Sequence, residues 1–194
     1  MNAQQKDSIT GEYFLQGIME MASVIQLKPD STFDFFYSYG AVDRYGAGKW
    51  SMRNNYIELN SRVRPALDFK LITSKKTEDN FTTIKISDQN SNLLRYVLCI
   101  VKNGKTIQEQ ISNGEGIAQF LKGKMDSISL LFQLCPDRYS TFSINNADNY
   151  FEFGFEPWIA EIFFQHFQLK IDANKLIGKH PLMPGENFSY VKEQ

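Results

Sequence analysis

The chain has 194 residues, of which 42% are hydrophobic and 22% charged, with a formal charge of −1. This balance excludes the clustered Lys and Arg that nucleic acid and anionic membrane surfaces reward. No apolar stretch approaches the roughly 20 residues a membrane helix needs.

The aromatic share, 16 Phe, 9 Tyr and 2 Trp, favours pleated strands. Cys99 and Cys135 are too few for a disulfide scaffold and lack zinc-ligand spacing; they would pair only in an exported protein. Near the N-terminus, Asn2-Ala3-Gln4-Gln5 resembles the end of a bacterial secretory signal peptide. That points to a periplasmic or secreted protein; a native Met1 would make it cytoplasmic.

Residues up to about Ser8 read as a loose tail. Beyond them Tyr13, Leu15, Gly17, Met19, Met21, Ser23, Ile25 and Leu27 recur with period two, so a strand is expected with a bend or bulge at Gly17. Pro29-Asp30-Ser31 supplies a tight turn. The next strand puts Phe33, Phe35, Tyr37 and Tyr39 on one face and Thr32, Asp34 and Ser38 on the other. Three glycines in residues 40–48 predict a mobile or specially shaped loop. Trp50 and Met52, then Tyr56 to Leu59 after Asn54-Asn55, then Leu67 to Ile72, give three short strands. Seven polar residues, 74–80, mark the expected domain boundary.

Past that boundary, residues 82–86 and 93–102 read as strands, and Asn103-Gly104 predicts a hairpin with a two-residue type I′ turn. Residues 105–111, 117–120, 139–144, 150–155 and 163–171 extend the series, with 128–134 as a buried central strand. Residues 157–163 have helical spacing behind Glu156, predicting one short helix. Residues 178–185 are extended, because two prolines exclude a helix.

Three short motifs, Gly11-Glu-Tyr13, Leu27-Lys-Pro-Asp30-Ser-Thr-Phe33 and Gly48-Lys-Trp50, resemble the opening strands of lipocalin-like small β-barrels of bacteria. Tyr13 stands where that family usually has Trp. In the second half, Ile86-Ser-Asp88, Asn103-Gly104 and Gly114-Glu-Gly116-Ile-Ala-Gln-Phe120 resemble Ig-like modules of the carboxypeptidase-regulatory and transthyretin type, which are usually non-catalytic. The expectation is therefore an all-β protein with at most one or two short helices. It comprises a lipocalin-like curled sheet or partial barrel at residues 9–75 and an Ig-like β-sandwich at 80–194. One continuous sandwich is the alternative.

No catalytic spelling stands out. His166 reads as a partly exposed strand residue and His180 as a turn residue before Pro181. There is no Gly-x-Ser-x-Gly elbow and no His-Glu-x-x-His helix. Glu12, Glu20, Asp34 and Glu58 are the carboxylates from which an acid pair would be drawn. Asn145-Asn-Ala-Asp-Asn149 with Glu152 offers oxygens but misses the EF-hand pattern, so a turn is expected. No metal or cofactor is implied.

The expected function is non-catalytic binding of a protein partner in the bacterial cell envelope, through loop 39–48. Tyr39, Asp43, Arg44 and Tyr45 would make the contact, joined by Arg62 and Arg64. One alternative is a carrier whose barrel cavity, lined by Phe33, Phe35, Tyr37 and Trp50, takes a small apolar ligand. A cytosolic immunity-type inhibitor of a toxin is the other.

Overall fold

The computed structural model describes residues 8–145 and 147–193. The signal-like residues 2–5 and Asn146 lie outside them. The strands, in chain order, are β1 (Gly11–Leu15), β2 (Met21–Leu27), β3 (Thr32–Tyr39), β4 (Val42–Arg53), β5 (Tyr56–Asn60), β6 (Phe69–Lys75), β7 (Phe81–Ser87) and β8 (Val97–Asn103). They continue with β9 (Thr106–Ile111), β10 (Ile117–Leu121), β11 (Ser127–Phe132), β12 (Ser140–Ser143), β13 (Tyr150–Phe155), β14 (Phe167–Asp172), β15 (Lys175–His180) and β16 (Met183–Lys192). One 3-10 turn, Ser91–Tyr96, precedes β8. The all-β expectation holds.

The chain divides into two compact units. One consists of the stretches ending at Arg64 and starting at Ala160, and the other is Pro65–Ile159. This departs from the expected division at 74–80. Those polar residues join β6 to β7 inside the second unit, where Asn149 accepts from the Thr77 amide and donates to the carbonyls of Asp79 and Phe81. The part of the chain past Ala160, expected to belong to a sandwich, supplies three strands to the first unit.

That unit is a closed barrel of order β1-β16-β15-β14-β5-β4-β3-β2. Every neighbouring pair is antiparallel. The curled sheet read from the first half is thus five strands of a complete meander, interrupted between β5 and β14 by the second unit. An eight-stranded barrel is just wide enough for side chains to fill. Here Ile25, Leu27, Phe33, Phe35, Trp50, Ile57, Leu59, Phe164, Leu169, Leu176 and Tyr190 fill it.

Local chemistry sets the barrel's turns. Residues 16–20 reverse the chain with positive φ at Gly17 and Glu20, so the expected single bent strand is an antiparallel pair and Met19 is exposed. In the β2–β3 turn, Asp30 accepts from the amide and hydroxyl of Thr32, while Ser31 takes φ 68°. Trp50 ties this hairpin to β4: its indole donates to the Lys28 carbonyl and its amide to that of Ser31. Asn54 and Asn55, both at positive φ, make the type I′ turn between β4 and β5.

Residues 40–48 are not a long loop. Gly40 and Ala41 make the turn, and the rest is the first half of β4. Gly46 and Gly48 face inward opposite Phe35 and Phe33. A Cβ at Gly46 would lie 2.7 Å from the Phe164 ring and 2.8 Å from the Ile162 carbonyl. The missing side chain admits an aromatic ring at Gly46 and the Asn60 carbonyl at Gly48, so neither glycine is a hinge. Phe164 meets Phe33 and Phe35 edge-on at 5.2 and 5.3 Å between centroids.

Its segment runs beside the first half of β4, where β5 does not reach. The Tyr45 amide donates to the Ala160 carbonyl and the Ile162 amide to that of Tyr45. This pairing, with a parallel bridge from Tyr45 to Glu161, replaces the helix expected at 157–163. The last expected strand begins at Phe167, because Gln165 and His166 form a bend.

The second unit has two four-stranded sheets, β10-β7-β13-β6 and β12-β11-β8-β9. β13 runs parallel to β7 and antiparallel to β6. The sheets face each other through Phe132 against Phe155 and Phe142 against Phe153, at 5.0 and 4.8 Å between centroids. β11 is central, as expected, and alternates in burial. The Asn103-Gly104 hairpin forms, but its turn residues are Gly104 and Lys105, with positive φ only at Gly104. That is the type II′ pattern, one residue later than the type I′ reading. Cys99 and Cys135 are both free and buried, and burial pushes the Cys99 thiol up to about 12.

Asp68 accepts two bonds from Arg138, at 2.6 and 2.8 Å, and its amide meets the Ser140 hydroxyl. The cluster at 145–149 holds no metal-binding group of three or more His, Cys, Asp or Glu among the described residues. Asp148 instead accepts from Ser74.

Candidate functional site

The residues expected to meet a partner scatter over the barrel. Tyr39 and Asp43 are exposed on either side of the Gly40-Ala41 turn. Arg44 does not join them, because even-numbered residues of β4 face inward: it is 4% exposed, and its Nε donates to the Ala160 carbonyl. Arg62 pairs with Glu161 at 2.5 Å and lies 5.1 Å from the Phe163 ring centroid, with Arg64 5.5 Å from the same centroid. Glu161 is also the bridge partner of Tyr45, so Tyr45 and Arg62 are brought together through it. Burial pushes the exposed Tyr45 phenol upward, and the neighbouring Glu161 carboxylate adds to the shift.

Of the expected ligand-lining set, Phe33, Phe35, Tyr37 and Trp50 all point inward and are 8% exposed or less. Their neighbours are other side chains, with Phe164 against Phe33 and Phe35 and His180 against Phe35 and Tyr37. The stripe is barrel packing.

At one end of the interior lies a polar cluster that the sequence did not reveal. His180, expected in a loop, is the buried last residue of β15. Its Nε2 is 3.2 Å from the Ser23 hydroxyl, which is 3.4 Å from the Tyr190 hydroxyl. The Leu182 amide donates to Nδ1 at 3.0 Å. That bond makes Nδ1 the acceptor and places the ring proton on Nε2, which donates to Ser23. Ser23 therefore has no general base beside it: the nitrogen facing it already carries a proton. Burial lowers His180 to about 4 and raises Tyr190 strongly, so both are neutral at pH 7.

The carboxylates considered for acid pairs have other partners. Glu12 accepts from Gln26, and Asp34 pairs with Lys28 at 2.5 Å. Glu58 accepts from Asn60, His166 and Gln168, which hold it at about 2. Glu20 sits exposed at the β1–β2 turn.

The surface that stands out is on the outside of the barrel. Phe14 pairs with Val24, Val24 with Phe36 and Phe36 with Tyr45, so one outward apolar row crosses β1, β2, β3 and β4. Val191 of β16 extends it on the other side of Phe14. Phe36 is 45% and Tyr45 47% exposed, and Tyr39 at the nearby turn is 51% exposed. Beside the row, a groove of about 260 Å³ is lined by Phe14, Val24, Phe36, Gln26 and the carboxylates Glu12 and Asp34.

Sequence reasoning missed Phe14, Val24 and Phe36. The inward stripe drew attention, and Phe36 lies out of phase between Asp34 and Ser38. That phase break was the available signal.

No family model, no curated protein and no solved structure matches the chain.

Proposed function

We propose that this is a non-catalytic binding protein of the bacterial cell envelope that recognises a protein partner through the outer face of β1 to β4. The observation that carries this reading is the outward row Phe14–Val24–Phe36–Tyr45, four apolar side chains at successive paired positions. Scattered apolar residues on a surface need no explanation; a contiguous row with a groove beside it does.

The partner's chemistry follows from the rim. Asp34 is paired with Lys28, but Glu12 accepts only from the neutral Gln26 amide, so a segment offering an apolar side chain next to Lys or Arg fits the groove at Glu12. The hairpin 39–48 contributes Tyr39, Asp43 and Tyr45 from its outer side, while Arg44 stays inside as a structural residue. The lack of a base at Ser23 supports a non-catalytic role. The envelope assignment rests on the resemblance of the Gly11, Leu27 and Gly48 motifs to bacterial lipocalin-like proteins.

A photo-crosslinking residue at position 36, in cells that make the protein naturally, tests the reading. We expect one envelope protein to be captured at position 36 but not at position 107 of the second unit. Capture should be lost on Glu12→Lys while the fold is retained. Equal capture at both positions, or capture indifferent to Glu12→Lys, contradicts it. A cytoplasmic toxin as the captured protein would replace the envelope reading with an immunity-type inhibitor.

A further inference from the structure

We infer that the stretch of barrel wall across the end of β4, β5 and β14 binds an acidic oligosaccharide with Tyr56 as its platform. The docking row meets β4 at Tyr45 and this surface meets it at Ser51 and Arg53, so the two share that strand but no residue. The inference does not rest on that row.

Two grooves, about 540 and 510 Å³, adjoin here and share Tyr56 and Gln168 as their common ridge. Strand register explains the arrangement. Arg53 pairs with Tyr56 and Tyr56 with Lys170, putting an exposed phenol ring between two cations on successive strands. At about 4.8 Å per strand the Cα atoms of Arg53 and Lys170 are roughly 10 Å apart, with Tyr56 between them. One step along, Ser51 pairs with Glu58 and Glu58 with Gln168.

Neither Arg53, Lys170 nor the Tyr56 hydroxyl is bonded to another side chain among the described residues. Cations elsewhere on the barrel, such as Lys28, Arg62 and Lys179, sit in ion pairs.

The site is rigid before any ligand arrives. The Asn54-Asn55 turn is clamped to β14, since the Asn55 amide side chain donates to the Ile171 carbonyl at 2.7 Å and the Ile171 amide to that of Asn55 at 2.9 Å. His166 has φ 48° and its amide donates to Asn60, which aims its ring at Glu58. Glu58 takes three donors, leaving one of a carboxylate's roughly four acceptor positions open. Gln168 spends its NH₂ on Glu58 and leaves its carbonyl oxygen free. Preorganised groups lose less entropy on binding.

This mixture selects the ligand. Carboxylate and amide oxygens accept from hydroxyl groups, the Tyr56 ring covers the C–H face of a pyranose, and Arg53 and Lys170 take a sugar carboxylate. A nucleic acid strand also stacks, but it carries one negative charge per nucleotide, and Glu58 beside Arg53 and Lys170 opposes a run of charges while leaving room for a single carboxylate. A purely apolar ligand leaves the cations desolvated without partners. A uronate-bearing saccharide satisfies every group.

Amide proton–nitrogen NMR spectra of the full chain, titrated with aldotetraouronic acid, a xylotriose bearing a single glucuronate, test this. Saturable shifts are expected at residues of β4, β5 and β14. Tyr56→Ala should weaken binding about tenfold or more, and Arg53→Gln with Lys170→Gln should do the same. Met19→Ala, at the exposed β1–β2 turn, should bind as the parent does. The double glutamine variant keeps the polar surface and the turn, so it remains informative if Tyr56→Ala disturbs the hairpin. Shifts absent from these strands, unchanged affinity in the glutamine variant, or equal binding of neutral maltotetraose or an oligothymidylate would overturn the assignment.

Discussion

The barrel and the inserted unit handle the same problem, unpaired strand edges, in opposite ways. In the barrel every strand has two hydrogen-bonded neighbours, so no edge exists. The inserted unit has open sheets ending at β6, β9, β10 and β12. Its edge strand β9 is exposed along its whole length, with Ile107 57% and Ile111 54% exposed. Closure lets the barrel carry an apolar row on its face without offering a strand for pairing. The inserted unit instead depends on its inter-sheet core and on a few buried polar links. Its stability should accordingly be concentrated in fewer interactions.

The two tryptophans allow the units to be read separately: Trp50 reports the barrel, and Trp158, whose indole donates to the Leu67 carbonyl, reports the insert. The largest expected effect is from Arg138→Ala, which leaves the buried Asp68 carboxylate without its bidentate partner. Losing one member of such a pair costs about 3–5 kcal/mol. Denaturation followed by Trp158, in a Trp50→Phe background, should show that loss. Trp50, followed with Trp158→Phe, should report an unchanged barrel, and a matching drop there would break the separation.

Gly46→Ala reverses the pattern. The added methyl meets the Phe164 ring and the Ile162 carbonyl, and overpacking of this kind costs about 1–3 kcal/mol. The Trp50 transition should move and the Trp158 transition should not.

The barrel should also show a pH dependence. His180 goes from an ordinary 6.5 to about 4 on folding, so between those values the unfolded chain binds the proton more readily. Stability from this group is complete above 6.5 and falls as pH drops toward 4. The Trp50-monitored midpoint should decline over that window, and His180→Gln should flatten the decline. An equally steep slope in His180→Gln would place the titration elsewhere.

How much of this was legible depends on the range of each interaction. Turns and alternation are local, so the Pro29-Asp30 hairpin, the Asn54-Asn55 turn and β11 could be read from neighbouring residues. The glycine at 46 could not, because its reason is Phe164, more than a hundred residues away. Barrel closure was hidden likewise: β14 to β16 look like any other strands, and only pairing with β5 and β1 assigns them. The polar run at 74–80 misled because a polar connection between two strands of one sheet and an interdomain linker have the same composition. At the surface, Tyr39, Asp43 and Tyr45 were legible as exposed hairpin residues. Arg44 was not, since its inward direction depends on the register of β4, and the Ser23–His180–Tyr190 cluster joins residues with no shared spelling.

The central claim is that the barrel is complete without the inserted unit. Arg62 and Glu161, 2.5 Å apart, hold the two chain ends at the insertion point together. Residues 65–159 can therefore be replaced by a Gly-Ser link of about six residues. The measurement is thermal unfolding of that shortened chain followed by Trp50 fluorescence, beside a fragment ending at residue 75. We predict a cooperative transition with a buried Trp50 for the shortened chain and none for the fragment, which lacks β14, β15 and β16. A shortened chain with solvent-exposed Trp50 and no transition, or a fragment that folds as well, would contradict the account.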